Sequence, residues 1–241
     1  GIRRQVEAQA GDLARDMRMY ELNAMTVDVE DYFHVSAFAD VVTRDDWERL
    51  ESRVERNTDR LLALFEYADV RATFFVLGWV AERFPQLIRR IGEHGHELAS
   101  HSFDHGLVYD KTPDSFRADL RRAARAIGEA TGVQVTGYRA PSYSVTTRSL
   151  WALDVLAEEG YAFDSSVYPI HHDRYGIPSW PRRIERLERR DGTLWELPGS
   201  TVRVLGAEPF ADFVDGWRAW RAEAPPAPRC VVVGGGAAAV E

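Results

Sequence analysis

Residues 72–101 read ATFFVLGWVAERFPQLIRRIGEHGHELASH. The opening run, Ala72–Leu77, is short, apolar and β-type, and reads as a buried strand. Val80–Gly92 follows with helical spacing, and Leu98–His101 reads as a second strand. Strand, helix and strand in so short a span make the building unit of a parallel sheet, because a parallel neighbour can be reached only by a crossover.

The same alternation runs outward in both directions. Upstream, Leu22, Ala24, Thr26 and Asp28 alternate with Asn23, Met25, Val27 and Val29, a strand pattern. Asp45–Asp69 reads as a long amphipathic helix on Val54, Leu61, Leu62, Phe65 and Ala68. Downstream come a helix over Pro113–Gly132, with proline in its first turn and glycine at its stop, and a strand over Val135–Arg139. Thr147–Gly160 reads as a helix and Tyr161–Asp164 as a strand. Either a barrel or an open doubly wound sheet fits such a series. The polar residues favour the barrel. Asp28, His101, Arg139 and Asp164 each stand at or just past the C-terminal end of a strand, where a parallel barrel gathers its chemistry.

Composition bounds the function. The 241 residues, 45% hydrophobic and 28% charged, suffice for one sizeable globular domain. A net charge of -8 argues against general affinity for nucleic acid or an anionic membrane surface. No apolar run approaches a membrane span, and Gly1–Tyr20 lacks the apolar stretch of a secretory signal, so a cytoplasmic protein is expected. The single cysteine, Cys230, allows no internal disulfide.

Four short stretches carry candidate chemistry. Asp28, Glu30 and Asp31 crowd three carboxylates at a strand end, which calls for a cation, an arginine or simply water. His101 and His105, four apart, face the same way if they lie on a helical turn, so both reach one metal ion; a surface pair is the alternative. A carboxylate from elsewhere would complete a two-histidine, one-carboxylate site with open positions. His94 and His96 read as surface histidines on a helix exit. Arg139, followed by Ala140-Pro141-Ser142-Tyr143, can orient an aspartate, and Asp164 can in turn orient Arg139 or serve as a turn residue.

Taken together in this order, the stretches resemble the polysaccharide deacetylase family, also called carbohydrate esterase family four or NodB-homology. Gly95 through His105 looks like its histidine motif and approach strand, and Thr73–Gly78 like the preceding strand. Thr26–Val35, Tyr138–Ser144 and Leu197–Thr201 are closest to the exosortase-associated exopolysaccharide deacetylase type. The resemblance implies an α/β fold, a deformed and incomplete (β/α)7 TIM-like barrel, over residues 22–206. Residues 1–21 are then an N-terminal extension and 207–241 an unrelated tail. It implies that Asp28 is the general base and that Glu30, or alternatively Asp31, binds a divalent metal, most often zinc, with His101 and His105. Arg139 would hold Asp28, supported by Asp164, and a backbone N–H near Ser142 or Tyr143 would meet the oxyanion and substrate. The implied partner is an acetylated polysaccharide or oligosaccharide.

Two positions depart from the family pattern. Ser142 stands where much of the family has tyrosine, and no histidine follows His172, although the family takes its general acid from a late leucine-x-histidine motif. A carbohydrate- or metal-binding remnant, and an amide or imide hydrolase on a small cyclic substrate, are the competing expectations. In the tail, Ala224–Pro228 reads as a linker. Cys230–Glu241 is similar to the opening strand and glycine turn of a dinucleotide-binding flavoprotein, but no helix, second strand or ribose-binding acid follows, so no nucleotide cofactor is expected.

Overall fold

The structure is a computed structural model and describes residues 25–198 and 231–234. Its core alternates strand and helix: β1 (Met25–Val29), α1 (Val54–Tyr67), β2 (Ala72–Val76), α2 (Gly78–Arg83), α3 (Pro85–Glu93), β3 (Glu97–Ser100), α4 (Pro113–Thr131), β4 (Gly137–Tyr138), α5 (Trp151–Glu158) and β5 (Phe163–Asp164). A hairpin of β6 (Glu185–Arg189) and β7 (Gly192–Glu196) follows, and β8 (Val231–Gly234) comes last. No helix among the described residues is long and apolar enough to cross a membrane.

The strand order is β6-β7-β5-β4-β3-β2-β1-β8. Among the described residues seven strands run parallel, and β6 is antiparallel to β7. Side chains alternate across the sheet. Val27, Val29, Phe74, Val76, Leu98 and Tyr138 face the outer core, where α1, α3, α4 and α5 contribute Phe65, Ile88, Leu120, Ile127 and Leu156. Phe75, Ala99 and Phe163 form a smaller inner cluster with Leu197. That inner cluster shows the curvature. In a flat sheet β2 and β5, three strand steps apart, would be separated by roughly 14 Å. The rings of Phe75 and Phe163 are nevertheless 6.4 Å apart, so the sheet curls on itself into a barrel wall. Gly137 permits this closure: a Cβ there would lie 2.1 Å from the Phe163 ring. No pairing joins β8 to the hairpin among the described residues.

Element bounds differ from the sequence pattern where a remote partner or a proline intervenes. The helix expected from Asp45 begins at Val54, because Asp31 accepts hydrogen bonds from the backbone N–H groups of Arg53 (2.9 Å) and Val54 (3.3 Å) and caps the helix there. The single helix expected over Val80–Gly92 is two, broken at Phe84, with Pro85 starting the second. Helix α4 keeps its expected stop: Gly132 takes the left-handed conformation (φ +73). The strands near Arg139 and Asp164 shrink to two residues each. The expected extension 1–21 and most of the tail lie outside the described residues, as does the glycine turn from 235 on. Val231–Gly234 pairs with Met25–Asp28.

Candidate metal centre and active site

The candidate residues gather from the ends of four strands at the barrel mouth. Glu30 follows β1, His101 follows β3, Arg139 follows β4, and Asp164 closes β5. Glu30, His101 and His105 place one donor atom each within 4.8 Å of one another, all buried. Glu30 Oε2 lies 2.8 Å from His105 Nε2 and 4.0 Å from His101 Nε2. A tetrahedral zinc site with bonds of about 2.0–2.1 Å sets its donors about 3.4 Å apart, close to this spacing.

Two further observations fit a cation. Glu30 Oε2 and His105 Nε2 are buried against each other, and among the described residues His105 Nδ1 is buried without a hydrogen-bond partner. His101 Nδ1 lies 2.9 Å from the Arg139 carbonyl; that oxygen can only accept, so the proton sits on Nδ1 and the Nε2 lone pair is free for a metal. The electrostatics agree. Burial opposes ionisation of Glu30, but the imidazoles of His105, His101 and His34 outweigh it and hold the carboxyl at about 2. Burial lowers the pKa of His101. At His105 burial is overcome by Glu30, and the pKa rises.

His101 and His105 do not lie on a helical turn. The segment between them is irregular, with Ser102 and His105 at positive φ (65° and 55°). Asp119 on α4 holds it by accepting from the Phe103 N–H at 3.1 Å. The rings converge because of this anchored loop, not because of helical periodicity.

Glu30 and Asp31 point in different directions. Asp31 faces away from the histidines and accepts from Ser52 Oγ (2.5 Å) as well as from the α1 backbone. The turn between the two acids is fixed by His34, whose Nδ1 accepts from the Asp31 N–H at 2.8 Å. His34 is buried against Trp47 and Trp79, and burial holds its pKa at about 3.

Asp28 sits beside this cluster at the solvent-facing mouth, its side chain 14% exposed. Arg139 Nη1 donates to Asp28 Oδ1 at 2.8 Å and to Thr26 Oγ1 at 3.1 Å. Its Nε and Nη2 reach the Ser165 carbonyl (3.3 Å) and Oγ (3.1 Å), and the guanidinium lies 4.1 Å over the Phe75 ring. Asp164 accepts from Ser166 Oγ (2.5 Å), which itself accepts from the Ala140 N–H (2.8 Å). Asp164 therefore supports the Arg139 turn through Ser166.

Ser142 and Tyr143 both have φ of 49°, and Ser142 Oγ lies 3.0 Å from Ser36 Oγ, bridging two loops at the mouth. The Tyr143 N–H donates to the Ala140 carbonyl at 3.1 Å, so of the two it is already engaged. The Tyr143 ring stacks on Tyr168 at 5.1 Å. Sequence patterning missed His34, Ser165 and Glu196, the last buried on β7 beside Asp164. A lone acid inside the apolar run Leu194-Trp195-Glu196-Leu197 was the available signal.

Comparisons with known proteins bear on the family and the fold. A family model described as polysaccharide deacetylase matches residues 41–162, and a domain of unknown function, DUF3473, matches residues 165–211. A peptidoglycan-N-acetylglucosamine deacetylase of Bacillus cereus is 28% identical over 120 residues, 45% of this chain and 44% of that protein. A peptidoglycan deacetylase of Helicobacter pylori is 31% identical over 147 residues, 58% of this chain and 46% of that protein. The chain thus spans about half the length of these curated relatives. A solved structure of a Mycobacterium smegmatis protein assigned as a polysaccharide deacetylase superposes with a TM-score of 0.63 at 24% identity, covering 90% of this chain and 79% of that one. With half of its residues matched by the family model, and its strand-end residues gathered at one barrel mouth, this chain belongs to the polysaccharide deacetylase family.

Proposed function

We propose that this protein is a metal-dependent hydrolase that removes acetyl groups from an N- or O-acetylated polysaccharide. The observation that carries the reading is the buried Glu30–His101–His105 triad, with Asp28 and Arg139 beside it at the same mouth. Glu30, His101 and His105 are the residues that would hold a divalent cation, most suitably zinc given two imidazoles and one carboxylate. When bound, such an ion lowers the pKa of water and polarises an acyl carbonyl as a Lewis acid.

The chain's own residues supply the rest. Arg139 fixes Asp28 through its 2.8 Å bond, and Asp28 takes the proton from the attacking water. The Ser142 N–H, next to the engaged Tyr143, is the donor suited to the developing oxyanion. The leaving amine or hydroxyl needs a proton. Asp28, protonated by the attacking water and held at the mouth by Arg139, returns that proton to the leaving group. The stacked Tyr143 and Tyr168 rings border the mouth, where a pyranose face can pack. The protein resembles relatives described as peptidoglycan deacetylases, which supports a cell-wall glycan as substrate.

The test combines metal analysis with acetate release from acetylated oligosaccharides. Wild type and Asp28→Asn should both bind metal stoichiometrically, but only wild type should release acetate at the full rate. Equal release by the two would remove Asp28 from the base role, and absence of metal would remove the reading itself.

A further inference from the structure

Asp164 on β5 and Glu196 on β7 are direct neighbours in the strand register, and neither has any exposed surface. Asp164 accepts from Ser166 Oγ (2.5 Å) and the Ser166 N–H (3.2 Å). Glu196 Oε1 accepts from the Val167 N–H at 3.0 Å, whereas its Oε2 receives no donor from the described residues. Two ionised carboxylates side by side, without water, repel strongly. One proton between them removes the repulsion, gives Glu196 Oε2 its partner, and leaves a single negative charge on the pair.

We infer that Glu196 carries this shared proton and is a positioning residue for Arg139, acting through the Asp164 anion that its proton stabilises. The inference rests on the deacetylase reading above. The path is continuous. Asp164 holds Ser166, whose Oγ receives the Ala140 N–H at 2.8 Å. Ser165, one residue earlier, receives Arg139 Nη2 and Nε, and its own N–H donates to the Tyr138 carbonyl at 2.9 Å. The Ser165–Ser166 step is thus clamped to the acid pair on one side and to the Arg139 turn on the other. Arg139 in turn aims Asp28. The charged groups facing Glu196 are Asp164 from β5, Arg139 from β4 and Glu185, its register partner on β6. Burial and the Asp164 charge push the Glu196 carboxyl well above the usual carboxylate range, against the smaller pull of Arg139.

The experiment uses the metal-loaded protein and two readouts. Infrared spectra at neutral pH should show a protonated-carboxyl C=O band in wild type that is missing in Glu196→Gln. Glu196→Ala should lower kcat about 10- to 100-fold with KM nearly unchanged, the effect of a displaced catalytic group, and Glu196→Gln should restore most of that loss because its amide donates to Asp164 in the proton's place. No band sensitive to Glu196→Gln overturns the shared proton. Glu196→Gln and Glu196→Ala equal to each other in kcat overturns the positioning role. Should Glu196→Ala not fold, Asp164→Asn replaces it: retention of the anion-free pair's full kcat would equally overturn the role. If wild type releases no acetate at all, the deacetylase reading fails and the positioning role with it, while the infrared band still decides the proton.

Discussion

Glu30 and Asp31 are adjacent carboxylates with opposite tasks, and the difference comes from which way each side chain leaves the end of β1. Glu30 points to the imidazoles; Asp31 caps α1. The sequence pattern singled out both, since three acids within four positions are conspicuous, but spacing cannot say which one turns inward. The residues that decide it, Ser52 and His34, sit far away or look like loop filler. Asp31→Ala should therefore destabilise the fold by about 1–3 kcal/mol, because it strips the acceptor from the Ser52 hydroxyl and from buried backbone N–H groups. Bound metal should stay at one ion per chain. Equilibrium denaturation and metal analysis on the same sample check both halves, and lost metal with unchanged stability would reverse the assignment. Asp28, Arg139 and His101 drew attention for a different reason: each combines reactive chemistry with a strand end, and strand ends of a parallel barrel meet, whereas His105 was singled out by a four-residue spacing that is not helical in the structure. Glu196 was not legible, because its partner Asp164 is adjacent only after β5 and β7 pair.

At the level of elements, local pattern foretold the strand–helix alternation, while boundaries followed from tertiary partners. The hairpin β6–β7 went unread because its alternation is polar, with Glu185 and Arg189 partly exposed and Arg186 and Glu188 exposed, and its two-residue turn, Arg190-Asp191, holds no glycine. The two-residue strand β4 was over-read as five, since Val135 and Thr136 look like strand residues but only Gly137 and Tyr138 are paired to β5. Gly137 has a consequence of its own. Any side chain there meets the Phe163 ring, 2.1–2.6 Å from an added Cβ. Gly137→Ala should cost about 1–3 kcal/mol through overpacking of the inner cluster. Phe163→Leu in the same chain should recover part of that cost, because the smaller side chain vacates the contested volume. A double-mutant cycle by denaturant unfolding measures the coupling, and strictly additive effects would mean that the barrel wall relaxes at β4 instead.

Across the whole molecule, the candidate metal site ties β1 to the loop after β3, and Arg139 ties β4 back to β1. An ion held by Glu30, His101 and His105 would clamp the barrel mouth, and one bound only by the folded state must stabilise it, by about 4 kcal/mol when free metal is a thousand times Kd. The pH dependence has a definite sign. Without metal, the raised pKa of His105 means that its protonated pairing with Glu30 stabilises the fold below about 6.5 and is lost as pH rises through the higher folded value. His101 and His34, with lowered pKa values, act oppositely: they leave stability intact above 6.5 and erode it as pH falls. The ion needs His105 unprotonated, so it competes with that proton and gains affinity as pH rises past 6.5. The difference in Tm between zinc-loaded and chelator-treated protein should therefore widen from mildly acidic to mildly alkaline pH, and should collapse at every pH in His105→Ala. A zinc-induced shift of constant size across that range, or one that survives His105→Ala, would show that the ion binds somewhere other than between β1 and the loop after β3.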